Sequence, residues 1–179
     1  MTSAKLKRSA TGIGKSRACY ETVADIEIIE NPSDVDWGTM YDLIQRSYAY
    51  MDGVIDPPSS LHRMSVDDFE RKAKDETLVI ATSACKLVGC MFCRKEADWI
   101  YVGKVAVAPH RQGEGIGAAL FDRAFDLAKR EGAKGLELET RVELFRNHKT
   151  FERLGFVKVG EDAHAGYDRP TSIRMRAEV

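Results

Sequence analysis

The sequence lacks the features that would set it apart from ordinary globular proteins. Its 27 basic and 28 acidic residues leave a formal net charge of −1, so no charge excess favours a nucleic-acid partner. No stretch approaches the roughly 18 apolar residues of a membrane span, and the N-terminus lacks the apolar core of a secretory signal. We therefore expect a cytoplasmic protein without a nucleic-acid or membrane partner.

Cysteine is also scarce, and its spacing argues against a metal site. Among the four cysteines, Cys90 and Cys93 form a CxxC pair, but the pair falls in a strand-like run. Residues three apart on a strand point to opposite faces and cannot bind one ion. The sequence has no second CxxC and no histidine pair at zinc spacing. We expect reduced thiols and no metal.

The composition fits one folded domain preceded by a basic segment. The 179 residues suffice for one domain with a substantial core, and 44% apolar with 31% charged residues is typical of globular proteins. No acidic residue precedes Glu21, whereas the same segment contains five basic residues: Lys5, Lys7, Arg8, Lys15 and Arg17. We predict a mobile basic tail over residues 1–22 and a single domain over residues 23–179.

The periodic patterns along the chain indicate both helices and strands. Apolar spacing near 3.6 residues predicts four helices, over residues 33–48, 65–74, 115–131 and 142–154. Short β-branched or alternating runs predict seven strands, over residues 24–30, 77–82, 86–95, 99–108, 136–140, 156–159 and 171–176. Tight turns within residues 77–108 predict an antiparallel meander. The predicted fold class is α+β, with a mixed, mainly antiparallel sheet flanked by helices.

The most informative motif is the glycine-rich run from Gln112 to Gly117, placed between a predicted strand and a predicted helix. Three glycines in five positions let backbone N–H groups approach a ligand closely, and some can adopt a positive φ. The following helix directs unpaired N–H groups and the positive end of its dipole at the same place. The run therefore predicts an anion-binding loop.

A dinucleotide-binding interpretation of this loop matches its sequence motif but not the elements around it. Gly113, Gly115 and Ala118 satisfy the G-x-G-x-x-A fingerprint. That fingerprint belongs directly after the first buried strand of a parallel sheet, whereas residues 109–112 intervene here and a meander precedes them. The chain that remains is also too short for the parallel units of such a fold. A nucleotide-dependent oxidoreductase is therefore disfavoured.

A second interpretation accounts for the loop together with its surroundings. Val105-Ala106-Val107-Ala108-Pro109-His110-Arg111 followed by Gln112-x-x-Gly115-x-Gly117 closely resembles the acyl-CoA signature of the GNAT superfamily of N-acetyltransferases. Asn147-x-x-x-Phe151-x-x-Leu154-Gly155-Phe156 resembles that family's second signature. The resemblance implies the GNAT acyl-CoA N-acyltransferase fold. It also implies transfer of an acetyl group from acetyl-CoA to a primary amine of a small molecule, amino acid or peptide.

The resemblance further implies which residues bind coenzyme A. In the family, the strand before the glycine loop bulges away from its neighbour, and its backbone pairs with the pantetheine arm. That role falls to Val105, Ala106 and Val107. The implied remainder of the cofactor site comprises Arg111, Gln112, Gly113, Glu114, Gly115, Ile116, Gly117, Ala118, Asn147 and Phe151.

The catalytic assignments follow from what acetyl transfer requires. An amine with a pKa near 10.4 must lose a proton before it attacks, and the carbonyl oxygen then gains negative charge. The family resemblance implies that a backbone N–H at the strand bulge, that of Val107, meets this oxygen. Tyr101 is the predicted general base: strict alternation places it on the same strand face as Val105 and Val107, and the resemblance places it where related enzymes often have a glutamate. Asp98 and Glu139 are alternatives.

The sequence departs from the family at the leaving group. Many GNAT enzymes have a tyrosine at the position of Phe151 that protonates the departing sulfur, and phenylalanine has no such proton. Coenzyme A then leaves as a thiolate, whose pKa is near 8.5, or another donor such as His148 or water replaces the tyrosine. The departure also supports an alternative, a catalytically weak module that binds acyl-CoA as a sensor.

The acceptor site is predicted only in outline. The acceptor, a small-molecule amine or a peptide, would enter opposite the cofactor, against the loops at residues 48–64 and 163–170. Acidic and aromatic side chains in these loops suit a cationic amine, although they also suit any surface loop. The family resemblance is compatible with a homodimer.

Overall fold

The computed structural model describes residues 26–179, and the predicted tail at residues 1–22 lies outside them. The described chain contains seven strands: β1 Ile26–Glu30, β2 Thr77–Ser83, β3 Lys86–Glu96, β4 Trp99–Val107, β5 Gly135–Arg141, β6 Val157–Asp162 and β7 Ser172–Glu178. It also contains four α-helices: α1 Trp37–Tyr48, α2 Val66–Asp75, α3 Ile116–Arg130 and α4 Phe145–Arg153. Every predicted element is present in the predicted order.

Two predicted helix starts are wrong. The helix predicted from residue 33 begins at Trp37, because the side chain of Asp36 accepts a hydrogen bond from the Thr39 amide at 2.9 Å and caps the helix there. The helix predicted from residue 142 begins at Phe145. The preceding amides are already bonded, that of Val142 to the Thr171 carbonyl and that of Leu144 to the Arg141 carbonyl. The first correction thus comes from a side-chain cap, and the second from backbone hydrogen bonds that hold residues 142–144 outside the helix.

The strands form one sheet in the order β1-β2-β3-β4-β5-β7-β6. All neighbours pair antiparallel except β4 and β5, which run parallel, so the predicted class and the predicted meander are confirmed. Within the described chain, the β4–β5 register consists of three pairs, from Trp99–Gly135 to Tyr101–Glu137. Beyond Tyr101 the two strands separate and leave a V-shaped gap, as the sequence resemblance implied.

A β-bulge in β4 changes which side chains share a face. The register with β3 shifts between the pairs Phe92–Gly103 and Cys90–Ala106, so β4 has one extra residue there. Lys104 occupies this position with a φ of 53°, in the left-handed region. The structure thus contains the bulge that the resemblance implied, but three residues before Val107.

The bulge overturns the predicted facing of Tyr101. Val105 and Val107 pack with the core beneath α3, the same core that contains Ile100 and Val102. Tyr101 lies between those two residues and therefore points to the opposite face of the sheet. The prediction that Tyr101 shares a face with Val105 and Val107 is wrong, because it assumed an unbroken alternation along the strand.

Two apolar cores cover the two faces of the sheet. The first lies beneath α3 and α4, and the second lies beneath α1 and α2. Cys93 belongs to the first core and Cys90 to the second, so the two thiols point apart, as predicted. Burial raises the pKa of each thiol to about 12. Among residues 26–179, no helix is long and apolar enough to cross a membrane.

Candidate active site

The glycine loop leads directly into the first turn of α3. A single 3₁₀ turn at Pro109–Arg111 carries the chain out of β4, and α3 begins at Ile116. Gly113 and Gly115 have φ values of 88° and 85°, which glycine adopts without strain. A Cβ added at either glycine would meet no atom of the described chain within 4 Å. The loop therefore presents backbone to open space at a helix N-terminus.

The side chains of this loop are partly engaged with one another. Arg111 Nε donates to Glu114 Oε2 at 2.6 Å, and Gln112 Nε2 donates to the Val107 carbonyl at 3.3 Å. The guanidinium charge of Arg111 is thus balanced within the loop. Backbone amides, rather than free positive side chains, are therefore the groups of this loop that could bind an anion. Ile116, Gly117 and Ala118, also predicted to bind the cofactor, form the first turn of α3.

The free edge of β4 faces the V-shaped gap. The Ala108 amide donates to the Val88 carbonyl at 2.8 Å, and Val107 lies opposite Gly89 in the register. Because successive backbone groups of a strand point to alternate sides, the N–H groups of Val107 and Val105 point into the gap. Those of Ala106 point to β3, so Ala106 is the one residue of the predicted trio whose backbone faces away.

The Val107 carbonyl is already hydrogen-bonded. It accepts from Ser47 Oγ of α1 at 2.9 Å, in addition to Gln112. Ser47 is buried, and this bond fixes the C-terminal end of α1 against the end of β4. The N–H of Val107 is therefore held in a defined position at the gap, as an oxyanion donor would have to be.

Tyr101 is poorly suited to act as a base. Burial, together with the nearby charge of Glu139, raises the pKa of its phenol to about 12. The Arg94 guanidinium lies 4.5 Å from the centroid of its ring. At neutral pH Tyr101 therefore remains a phenol, which can donate a hydrogen bond but cannot readily take a proton from an amine.

Of the two alternative bases, Glu139 lies at the gap and Asp98 does not. Glu139 is two residues beyond the last β4–β5 pair, level with Gly103. Burial and the neighbouring carboxylate of Asp162 raise its pKa, which moves it toward the range of a useful base. Asp98 precedes β4, at the closed end of the gap, and its hydrogen bond from Lys134 lowers its pKa.

The three predicted residues of α4 have distinct surroundings. Asn147 Nδ2 donates to the Tyr50 hydroxyl at 2.8 Å. His148 Nε2 lies 2.8 Å from the Arg141 carbonyl, which makes Nε2 the donor because a carbonyl only accepts. The ring of Phe151 packs edge-on against Phe121, with centroids 5.9 Å apart. Phe151 thus belongs to the core beneath α3, and His148 is tied to the end of β5.

The two predicted acceptor loops meet at Asp56. Its carboxylate accepts hydrogen bonds from the Tyr167 hydroxyl at 2.6 Å and from Arg169 Nη2 at 2.7 Å. The Asp56 amide donates to Glu143 Oε1 at 3.1 Å. Asp56 therefore joins the loop after α1, the loop between β6 and β7, and the turn after β5.

Sequence reasoning missed Arg141, Glu143 and Lys104. Lys104 Nζ donates to Ser60 Oγ at 3.3 Å, and burial lowers its pKa. The bulge at Lys104 has no signal in the sequence, because lysine is not a residue typical of a positive φ. Arg141 and Glu143 could have been noticed as charges at the end of a predicted buried strand.

Comparison with solved structures shows the same fold in several acetyltransferases. The ribosomal-protein-S18-alanine N-acetyltransferase of Escherichia coli is 22% identical, with a TM-score of 0.67 over 86% of this chain and 94% of its own. The PaiA N-acetyltransferase of Thermoplasma acidophilum, solved with coenzyme A, is 16% identical, with a TM-score of 0.73 over 87% and 99%. An acetyltransferase of Bacillus anthracis, solved with acetyl coenzyme A, is 23% identical, with a TM-score of 0.55 over 59% and 63%.

Comparison at the level of sequence gives the same family. No curated protein sequence matches the chain significantly. The profile described as "Acetyltransferase (GNAT) family" matches residues 37–156, which include α1, the bulged strand, the glycine loop and α4. The fold, the gap between β4 and β5 and the profile agree. The chain belongs to the GNAT acetyltransferase family.

Proposed function

We propose that this protein transfers the acetyl group of acetyl-CoA to a primary amine of a small molecule, amino acid or peptide. The observation that carries the proposal is the gap between β4 and β5. On one side the gap adjoins an anion-binding glycine loop, and on the other it adjoins a carboxylate whose pKa is raised. The coenzyme A and acetyl coenzyme A bound to relatives of the same fold support this choice of donor.

The cofactor would occupy the glycine loop and the free edge of β4. The amides of the loop and of the first turn of α3 would bind the pyrophosphate, and Arg111 could turn from Glu114 to a phosphate at little cost. The groups of Val105 that face the gap would pair with the amides of the pantetheine arm, which leaves the Val107 N–H for the thioester oxygen. Asn147 could reach that arm by releasing Tyr50.

The chemical step would use Glu139 in place of Tyr101 as proton acceptor. The neutral amine attacks the thioester carbon, a C–N bond forms, the C–S bond breaks, and the amine proton passes to Glu139 directly or through water. The Val107 amide would stabilise the negative oxygen. Tyr101, as a neutral phenol close enough to Glu139 to be affected by its charge, would position that carboxylate or the amine.

The leaving thiolate would depart without a protein acid at the position of Phe151. The Nε2 proton of His148 is directed to the Arg141 carbonyl, so this histidine is not poised to supply a proton. Since a thiol with a pKa near 8.5 is a tolerable leaving group, water can protonate it after departure. This step is the one that differs from the common family pattern.

Release of free thiol from acetyl-CoA across a panel of amines tests the proposal. Turnover with any amine supports it. Tight binding of acetyl-CoA without turnover would instead favour the second candidate, an acyl-CoA-binding sensor, which the apolar surroundings of Phe151 make reasonable. Thermal stabilisation by acetyl-CoA but not by NAD is expected for both candidates, and its absence would contradict both. A cytoplasmic location and a homodimer stay predictions.

A further inference from the structure

Arg141 stands on the wall of the gap that faces β4. Along β5, Leu136 and Leu138 belong to the core beneath α3, so Arg141 and Glu139 point to the opposite face, where the acceptor would enter. Arg141 is four residues beyond Glu137, which places it about 13 Å past the last β4–β5 pair. Because Lys104 is an extra residue in β4, Arg141 is level with Ala106, between the gap-facing amides of Val105 and Val107.

One edge of the Arg141 guanidinium is buried without a partner. Arg141 is only 9% exposed, yet within residues 26–179 its Nε and Nη2 atoms have no hydrogen-bond acceptor. These two nitrogens form one side of the guanidinium, and their N–H bonds run parallel. A side of this kind binds the two oxygens of one carboxylate. Buried donors are nearly always satisfied, so this edge calls for a ligand.

Glu143 is the charged neighbour of this edge but does not occupy it. Glu143 Oε2 lies 3.9 Å from Arg141 Nε, beyond hydrogen-bond distance. The other oxygen, Oε1, already accepts the Asp56 amide, which holds the carboxylate in place. Glu143 Oε2 is itself buried without a hydrogen-bond partner among residues 26–179. Glu143 therefore balances the charge of Arg141 without bonding to its paired donors.

The joined acceptor loops lie next to Arg141, and Glu143 links the two. Glu143 Oε2 is 3.9 Å from Arg141 Nε, and Glu143 Oε1 accepts the Asp56 amide at 3.1 Å. Asp56 in turn accepts the Tyr167 hydroxyl. A group bound at Arg141 would therefore lie near the loops predicted to contact the acceptor.

We infer that Arg141 binds a carboxylate of the acceptor, so that the substrate is a small amine that also carries a carboxylate, such as an amino acid. This inference rests on the proposed acetyl transfer. A carboxylate fixed at Arg141 would direct the amine of a short molecule toward the edge of β4 that carries the Val105 and Val107 amides. Two acceptor oxygens match the two free donors, whereas an amide offers one.

Matched pairs of acceptors test the inference through turnover. Thiol release is measured with amino acids and with their carboxamides, for the wild type and for Arg141→Gln. We expect Arg141→Gln to lower the ratio of kcat/KM for carboxylate over amide by about 10- to 100-fold, the loss typical of charged hydrogen bonds. Comparison of the ratio between proteins cancels the different amine pKa values. An unchanged ratio overturns the inference.

Two further variants separate recognition from structure. Arg141→Lys retains the charge but not the paired donors, so we expect an intermediate ratio. Arg153→Gln is the control, since Arg153 is an exposed residue of α4 bonded to its own helix. We expect that control to keep the wild-type ratio, and an equal loss in it would overturn the assignment to Arg141.

Melting temperatures test the site without turnover. With coenzyme A present and ionic strength matched, propionate should raise the melting temperature of the wild type more than propionamide does. The difference should vanish in Arg141→Gln and grow in Glu143→Gln, which removes a competing negative charge. If propionate raises the melting temperature of all three proteins equally, Arg141 has only a structural role beside Glu143 and the inference fails. A propionate effect without thiol release would contradict acetyl transfer and leave the carboxylate site standing.

Discussion

Tyr167 donates a hydrogen bond to Asp56 across 2.6 Å, and this bond joins two loops that are 111 residues apart in the sequence. Arg169 adds a second bond to the same carboxylate. Through Glu143 the joined loops also contact the turn after β5, so the proposed acceptor site is bordered by a few polar contacts rather than by an apolar interface. Such a junction can open for the acceptor at small cost, because exposed ion pairs contribute little to stability.

Loss of the junction at Asp56 should weaken acceptor binding alone. We expect Asp56→Asn and Tyr167→Phe to raise the KM for the acceptor about two- to fivefold, with kcat and the Kd for acetyl-CoA nearly unchanged. Asp52→Asn is the matched control, since Asp52 pairs with His62 of its own loop at 2.9 Å. An increase in the Kd for acetyl-CoA would place these residues on the cofactor side instead.

The assignment of the glycine loop can be tested with two equivalent glycines. Gly115 and Gly132 both have a left-handed φ, of 85° and 64°, and an added Cβ at either would meet no described atom within 4 Å. Gly115→Asp should abolish binding of acetyl-CoA, because it places a negative side chain where the pyrophosphate would lie. Gly132→Asp carries the same backbone strain beyond the end of α3 and should bind normally. Calorimetry with acetyl-CoA distinguishes them.

Glu139 should control the acidic limb of the pH profile. A base must be deprotonated, so kcat/KM should fall as pH drops through the raised pKa of Glu139. Glu139→Gln should lower kcat by about 100-fold or more and remove that limb. Glu137→Gln is the control: the Glu137 carboxylate is bonded to Arg176 at 2.6 Å, and its charge helps to raise the pKa of Glu139, so this variant should keep the limb but shift it to lower pH. A limb retained in Glu139→Gln would exclude Glu139 as the base.

The Glu139 carboxylate should also make stability depend on pH, in the direction opposite to activity. Because folding raises the pKa of Glu139, the folded state binds a proton more readily than the unfolded state. Its contribution therefore favours folding below the ordinary glutamate pKa of 4.5 and is lost as pH rises through the raised pKa. Above that range Glu139→Gln should be as stable as the wild type or more so. Urea unfolding at two pH values measures this.

The sequence predicted the parts of the site that depend on local chemistry. The Gln112 to Gly117 loop was predicted because glycine spacing and a following helix determine its conformation together. The side of the sheet to which Tyr101 points was not predicted correctly. One extra residue at Lys104 inverts the alternation of side chains along β4, and the sequence contains no local signal of it. The junction at Asp56 was predicted only as two neighbouring loops, since its bonds depend on how distant segments pack.

The absence of a proton donor at Phe151 is itself testable. Phe151→Tyr places a hydroxyl at the family's usual position, on a ring that is only partly buried against the core. If protonation of the thiolate limits the wild type, kcat should rise by up to about tenfold wherever the new tyrosine is protonated, that is below a pH of about 10. Phe156→Tyr is not a suitable control variant, because Phe156 is 1% exposed and the added hydroxyl would be buried. An unchanged kcat would show that thiolate departure is not limiting.

The position of α3 depends on a glycine in the neighbouring strand. A Cβ at Gly89 would lie 3.1 Å from Ile116 Cγ2 and 3.2 Å from Leu120 Cδ1, both in the first turns of α3. Gly89→Ala should therefore push this end of the helix from the sheet, lowering the free energy of unfolding by about 1–3 kcal/mol. Since the glycine loop is continuous with that end, the Kd for acetyl-CoA should rise with it.

A second strand glycine provides the control for this effect. An added Cβ at Gly160 of β6 would meet no atom of residues 26–179 within 4 Å, and Gly160→Ala should change neither stability nor binding. Urea unfolding gives the stability of both variants, and calorimetry gives their affinity for acetyl-CoA. If Gly89→Ala is destabilised but binds acetyl-CoA normally, the loop is positioned by β4 and Ser47 rather than by the packing of α3 on β3.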